Sequence, residues 1–176
     1  HGGKEYVHYP SPNLQKICRS MVKRGADYVI CQHSHCVGCY EKFQGGHIVY
    51  GQGNFIFDHS EHPMWQTGLL LKLLIGDTNE IEFIPLVKKK ERVDAPEADI
   101  KNKILDEFHA RSSKLADAEF LAAEWKRFCL SMRGPYLHCL RGSGRIFSGV
   151  DRKILGGRLL KRIYNKRRLC TLHDFL

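Results

Sequence analysis

The chain has 176 residues, of which 43% are hydrophobic and 27% are charged, proportions typical of a globular protein and not of a disordered one. The formal net charge is +9, from 28 basic and 19 acidic residues, which favours acidic partners over basic ones. The longest apolar run, residues 68–71, falls far short of the roughly 20 residues that a membrane-spanning helix needs.

The beginning of the chain and its cysteines bear on its origin. The first residue is His1 and the first methionine is Met21, which predicts either a processed product or part of a longer protein. No signal-peptide pattern is visible. Seven cysteines spread through apolar segments predict free thiols. They favour a reducing, cytoplasmic compartment, while membrane association of a longer parent stays open.

The first half of the sequence alternates between helical and strand patterns. Ser11 followed by Pro12 is typical of a helix start, and apolar residues recur at helical spacing up to Gly25, which predicts the helix end. Further along, the patterns predict a buried strand at 27–31, strands at 37–43 and 47–50, a tight glycine-rich loop at 51–54, and a hairpin of 67–75 with 80–87.

The composition changes near residue 90, and we predict a boundary there between units 1–90 and 91–176. The patterns beyond it predict a linker at 93–99, helices at 100–115 and 116–130, a loop at 142–149 and a basic amphipathic helix at 154–164. Between Arg141 and His173 ten basic residues face a single acidic one, Asp151. This segment is either a solvated or partner-covered surface, or a contact to a membrane surface or an anionic polymer. Nucleic acid is disfavoured because no recognised binding motif accompanies the charge.

A pair of histidines follows the predicted strand 27–31. The stretch Gln32-His33-Ser34-His35 leaves the carboxyl end of that strand, where α/β folds place ligand sites. Residues two apart in extended chain point the same way, so His33 and His35 are predicted to face one metal ion, unless they are ordinary loop histidines. A competing interpretation is a structural zinc site formed by Cys31, Cys36 and Cys39 with the same histidines.

Three ordered blocks in residues 1–88 resemble a known family. They read HGGKEY at 1–6, GADYVICQHSH at 25–35 and GQGNFIFD at 51–58. The family pattern is His-Trp-Gly-x-Glu-Tyr, Gly-Ala-Asp-x-Val-Ile, Gly-His-His-Pro-His and Gly-Asn-Phe-x-Phe-Asp. This is the pattern of the CapA family of bacterial capsule (poly-γ-glutamate) synthesis proteins, in the calcineurin-like metallophosphoesterase superfamily. The resemblance implies an α/β fold: the C-terminal portion of a four-layer metallophosphoesterase-like sandwich, followed here by a helical basic extension.

The resemblance also implies site residues. It assigns His1, His33 and His35 as imidazole ligands of a divalent metal centre, with two Mn, Zn or Fe ions in the full-length parent. It implies supporting or substrate-orienting roles for Glu5, Asn54 and Asp58. For Asn54 the residues alone leave a second interpretation open, a side chain that caps its own turn. The chain departs from the pattern at Gly2, at Cys31-Gln32 and at Ser34, which leaves the three histidines in place and alters their flanks.

The function implied is that of a metal-dependent phosphoesterase-type hydrolase in capsule or poly-γ-glutamate synthesis, acting on a phosphate-containing small substrate or an anionic polymer. The alternative is a non-catalytic capsule-synthesis component that binds the polymer, a membrane surface or the export machinery through the basic segment. The superfamily's carboxylate-ligand motifs have no counterpart in this sequence. We therefore predict that the 176-residue chain is inactive by itself.

Overall fold

The computed structural model describes residues 1–56, 62–89 and 92–134. The chain forms two compact units, His1–Leu121 and Ala122–Leu176, and the second is described only as far as residue 134. The predicted site residue Asp58, the loop 142–149 and the basic helix 154–164 lie outside the described residues. The described elements are helices α1 (Pro12–Lys23), α2 (Ala98–Ser113) and α3 (Ala118–Ser131), strands β1 (Tyr28–Ile30), β2 (Tyr40–Phe43), β3 (Gly46–Val49), β4 (Thr67–Leu74), β5 (Glu80–Lys89) and β6 (Arg92–Asp94), and short 3-10 turns at Pro63–Trp65 and Lys114–Ala116.

Helix α1 forms where the capping pattern predicts it. The Ser11 hydroxyl accepts a hydrogen bond from the backbone N–H of Leu14 at 3.0 Å, and Pro12 occupies the first turn, where no intrahelical donor is needed. Gly25 follows the helix with a φ of +100°, a conformation that glycine adopts without steric cost. Cys18 and Val22 form the buried face of the helix.

The first sheet has the strand order β1-β3-β2, with β1 parallel and β2 antiparallel to β3. A turn with positive φ at Gln44 and Gly45 joins β2 to β3. All four residues of β3 are buried. The core against this sheet combines residues of α1 with strand residues, including Cys18, Val22, Val29, Ile48 and Tyr50.

The second sheet is the antiparallel set β4-β5-β6. The β4–β5 hairpin matches the prediction, with Leu69 opposite Pro85. The helix after the predicted boundary near residue 90 packs within the first compact unit, because Ile104 and Phe108 of α2 join Leu69 in one buried cluster. The boundary itself stays a prediction.

Strand β6 corrects the predicted linker 93–99. Its three residues pair with the end of β5, and Val87 lies opposite Asp94. A segment of three residues is too short to show an alternating pattern, so it becomes a strand only through its backbone hydrogen bonds with β5.

The described residues form a mixed α/β fold, which confirms the broad fold class. The four-layer sandwich and the basic extension stay predictions. None of the helices in the described ranges has the length and apolarity to cross a membrane.

Candidate metal centre

Residues 1–8 lie along the loop that follows β1. Gly2 donates its backbone N–H to the carbonyl of Gln32 at 3.1 Å, and Tyr6 donates to the carbonyl of Ser34 at 2.8 Å. These two bonds set the register between the first block of the sequence and the histidine loop. They bring His1 beside His33 and Glu5 beside His35.

Two buried thiols and one imidazole fix the continuation of this segment. Cys36 donates its thiol to the Val7 carbonyl and Cys39 donates to the His8 carbonyl, both at 3.3 Å. The His8 ring donates from Nδ1 to the carbonyl of Val37 at 3.0 Å. Burial lowers the pKa of His8, since desolvation disfavours its charged form. The segment is therefore anchored directly after the residues that enter the site.

The histidine loop is not extended. His33 has a φ of +105° and His35 a φ of +55°, so both lie in left-handed backbone that residues with a β-carbon rarely adopt. The expectation that side chains two apart point the same way in extended chain is therefore wrong as a reason. The two rings approach each other because of this bent loop, with centroids 6.2 Å apart.

A glycine and a buried serine shape the base of the loop. Ser34 is buried, and its hydroxyl donates to the Cys36 carbonyl at 3.2 Å. A β-carbon at position 51 would lie 2.5 Å from the Ser34 hydroxyl oxygen and 2.8 Å from the Cys36 carbonyl oxygen. Only glycine fits at position 51, and its lack of a β-carbon lets the chain there pass close to the histidine loop.

The three predicted imidazoles come together in one place. The ring of His1 lies 4.3 Å from that of His33, centroid to centroid, and His33 in turn neighbours His35. This is the convergence expected from the sequence. The role of these histidines as metal ligands stays a prediction.

Glu5 joins the histidines more closely than the sequence indicates. Its carboxylate oxygen Oε1 lies 3.8 Å from Nε2 of His35. One ligand atom from each of Glu5, His33 and His35 can be chosen so that all lie within 4.8 Å of one another. Metal–nitrogen and metal–oxygen bonds of about 2.0–2.2 Å put two ligands of one ion up to roughly 4.4 Å apart, so this donor set fits a metal ion after small side-chain adjustments.

Asn54 holds His35 in a defined orientation. Its side-chain amide nitrogen donates to the His35 carbonyl at 3.1 Å, and its amide oxygen lies 2.8 Å from Nδ1 of the ring. An amide oxygen can only accept, so Nδ1 carries a proton, and in the neutral ring Nε2 is then the lone-pair nitrogen. Asn54 thus bonds to the candidate ligand, and the alternative in which it caps its own turn is not found. Asp58 lies outside the described residues.

A cleft of about 540 Å³ opens over these groups. The polar side chains of its lining belong to His1, Gln32, His33, His35, Gln52 and Asn54. Its apolar side chains belong to Phe55, Ile56, Leu69, Leu70 and Leu86. Among the described residues that line the cleft there is no lysine or arginine.

Comparison with known proteins shows what the segment that carries these site residues is similar to. Residues 1–59 match the family model described as "Bacterial capsule synthesis protein PGA_cap". Over 58 residues the chain is 38% identical to "Capsule biosynthesis protein CapA" of Bacillus anthracis and 36% identical to "PGA biosynthesis protein CapA" of Bacillus subtilis (strain 168). This first third of the chain is similar to CapA proteins, and residues 1–59 are called the CapA-family segment below.

The match has a limited extent. It covers 33% of this chain and 14% and 15% of the two relatives, so the aligned part spans about a seventh of their length. The CapA-family segment nevertheless carries all the polar residues that line the cleft. His1, His33, His35 and Asn54 lie within residues 1–59, as does Glu5, which neighbours His33 and His35.

Beyond the CapA-family segment, an aromatic group packs on the site that the sequence did not reveal. The indole of Trp65 stacks on His35, with centroids 4.9 Å apart and an interplanar angle of 12°. Tyr6 stacks on His62 at 4.5 Å and lies 6.1 Å from His35. The sequence signal in this region is His62 followed by Pro63, which begins the short 3-10 turn that carries Trp65. The stacking of Trp65 restricts rotation of the His35 ring.

The competing zinc site does not form. The thiol of Cys31 lies 3.5 Å from that of Cys18, whereas Cys36 and Cys39 point at backbone carbonyls of the CapA-family segment. Within the described ranges, the metal-ligand grouping found is Glu5 with His33 and His35. The five described cysteines are buried free thiols, which agrees with the predicted thiol state.

Proposed function

We propose that this chain contributes the imidazole side of a metal-dependent, phosphoesterase-type hydrolase centre, and that the protein acts in capsule or poly-γ-glutamate synthesis. The observation that carries the proposal is the convergence of His1, His33 and His35 on one cleft, inside the segment that is similar to CapA proteins. Neutral imidazoles suit divalent cations such as Zn, Mn and Fe.

The chain's own residues would hold and orient such an ion. His1, His33 and His35 would supply nitrogen ligands, and Asn54 fixes the His35 ring with Nε2 as its lone-pair nitrogen. When bound, the metal would activate water and polarise a phosphoryl oxygen. Because no lysine or arginine is found among the described cleft residues, the charge of a phosphate-containing substrate would be balanced mainly by the metal.

The apolar residues of the cleft have a separate role in this proposal. Phe55 and Ile56 border the polar groups and are exposed, as is Leu70. These exposed side chains offer an apolar surface that a bound substrate can cover. A substrate with an apolar portion next to its phosphate group fits this division of the cleft.

A segment exchange tests the proposal. Residues 1–59 of this chain would replace the matching 58 residues of the Bacillus subtilis CapA protein, in a strain that lacks its own copy. We expect poly-γ-glutamate to be produced, and we expect His33→Ala or His35→Ala in the exchanged segment to abolish it. Lys16→Ala, an exposed change on α1, is the matched control and should leave production unchanged.

Full production by the His33→Ala and His35→Ala exchanges would contradict the metal-hydrolase proposal. It would favour the alternative in which the protein is a non-catalytic binding component. Hydrolysis of a generic phosphodiester with added Mn or Zn, by the active exchange protein and its His35→Ala version, then tests the reaction type directly.

A further inference from the structure

The position of Glu5 departs from a merely supporting role. Supporting carboxylates of metal sites bond to the outer nitrogen of a ligating imidazole, the one that faces away from the metal. On His35 that outer nitrogen is Nδ1, and Asn54 already occupies it at 2.8 Å. The Glu5 carboxylate instead lies 3.8 Å from Nε2, the nitrogen that a metal would use.

A cation can be shared by the two groups of this pair. Because Asn54 places a proton on Nδ1, Nε2 of a neutral His35 ring carries the lone pair, and it lies 3.8 Å from the half-exposed carboxylate of Glu5. A lone pair and a carboxylate this close repel each other, and a positive charge shared by both, either a proton or a metal ion, removes the repulsion. His33 adds a second imidazole within the same 4.8 Å grouping.

The geometry points to a complete one-ion site in this chain, with Glu5, His33 and His35 as its ligands and a borderline divalent cation such as Zn²⁺ or Co²⁺ as its occupant. The inference deepens the proposed function, on whose metal centre it rests, and it changes the role of Glu5 from a neighbour of the centre to a ligand. His1 falls outside the 4.8 Å grouping, so this ion does not use it as a ligand. Two imidazoles and one carboxylate are a donor set that zinc sites use, with a further position left for water or substrate.

The site has its own spectroscopic reporter. The Trp65 indole stacks on His35 at 4.9 Å, so an open-shell ion such as Co²⁺ at the His35 ring will quench its fluorescence. The chain has two tryptophans, and Trp125→Phe leaves Trp65 as the single emitter. Zn²⁺ does not quench in this way, and it should restore the emission when it displaces Co²⁺ from the same site.

The experiment uses the tag-free 176-residue chain carrying Trp125→Phe, titrated with Co²⁺ and then with Zn²⁺. Calorimetry with Zn²⁺ on the chain with both tryptophans measures the affinity independently. We expect one ion per chain, quenching of Trp65, and recovery with Zn²⁺. Glu5→Gln keeps the size of the side chain and removes its charge, and it should weaken Zn²⁺ binding by at least about tenfold.

The matched control is Glu119→Gln, which removes the same charge from an exposed site in the first turn of α3 and should leave the affinity unchanged. Circular dichroism of each variant confirms folding before titration. Zn²⁺ affinity unaltered by Glu5→Gln but lost in His33→Ala or His35→Ala would overturn the role of Glu5 and leave the proposed imidazole centre standing. Absence of saturable quenching in the unsubstituted site would overturn the one-ion site altogether, while the segment exchange still decides the proposed function.

Discussion

The hydrogen bonds between Asn54 and His35 permit a quantitative prediction. The Asn54→Ala change removes two bonds, one to the ring nitrogen at 2.8 Å and one to the carbonyl of His35 at 3.1 Å. A neutral hydrogen bond contributes about 0.5–1.5 kcal/mol to stability, so the two together amount to about 1–3 kcal/mol. Asn54 is only 9% exposed, which places the expected loss of unfolding free energy toward the upper part of that range.

A double-mutant cycle separates the two bonds. In a His35→Ala background the bond to the backbone carbonyl remains possible, and only the bond to the ring is gone. The coupling energy between Asn54→Ala and His35→Ala therefore isolates the side-chain bond, and we expect it to be about 0.5–1.5 kcal/mol. Urea unfolding followed by circular dichroism gives the four free energies. Asn102→Ala, an exposed change on α2, is the control in which no buried hydrogen bond is lost, and it should not lower the unfolding free energy because alanine favours the helix more than asparagine does.

The same variant tests the link to metal binding. Partners that orient a ligating histidine typically change metal affinity by 10–100-fold when they are removed, which corresponds to about 1.4–2.7 kcal/mol. We expect Asn54→Ala to weaken Zn²⁺ binding by that factor. Strict additivity of the two substitutions in stability would refute the argument, because it would mean that Asn54 does not fix the His35 ring.

Three further predictions concern the framework of the site. Glu41→Gln should lower the unfolding free energy by about 1–3 kcal/mol, because the Glu41 carboxylate accepts hydrogen bonds from Tyr50 at 2.7 Å and from Arg19. Adding Tyr50→Phe to the same chain should recover part of the loss, and no recovery would contradict the pairing. Burial lowers the pKa of His8, so the unfolded state binds more protons than the folded state below about pH 6.5, and the unfolding free energy should fall as the pH drops through that range. Denaturation at a series of pH values tests this, and His8→Gln should flatten the dependence of the unfolding free energy on pH. Burial raises the pKa of Cys36 to about 11 and of Cys39 to about 12, so iodoacetamide at pH 8 should label them only after unfolding, and peptide mass spectrometry showing equal labelling of the native chain would disprove their protection.

Local sequence signals were sufficient for much of the framework. The start of α1 depends on Ser11 and Pro12, which act within a single turn, so their pattern predicts the helix directly. The β4–β5 hairpin has the same property, because its alternation and its turn lie in one continuous segment. Strand β6 could not be predicted, because its three residues become a strand only by pairing with β5.

The histidines of the candidate site could be predicted from the sequence, but the loop geometry that brings them together and the packing of Trp65 could not. The blocks that contain His1, His33 and His35 were readable from the resemblance, and the three rings do converge. The reason offered from extended geometry was wrong, because positive φ angles cannot be read from the residue types. Trp65 was missed because its stacking on His35 depends on a contact between residues 30 positions apart in sequence.

The left-handed backbone at His33 has a consequence for the evolution of the chain. At a φ of +105° a residue with a β-carbon is strained by about 1–3 kcal/mol, and glycine avoids that cost. Selection of a random library for thermal tolerance alone should therefore enrich His33→Gly, and the enriched clones should have lost the imidazole from the cleft. Stability and the ligand set compete for the same position, so a stabilised variant of this protein has to gain its tolerance elsewhere.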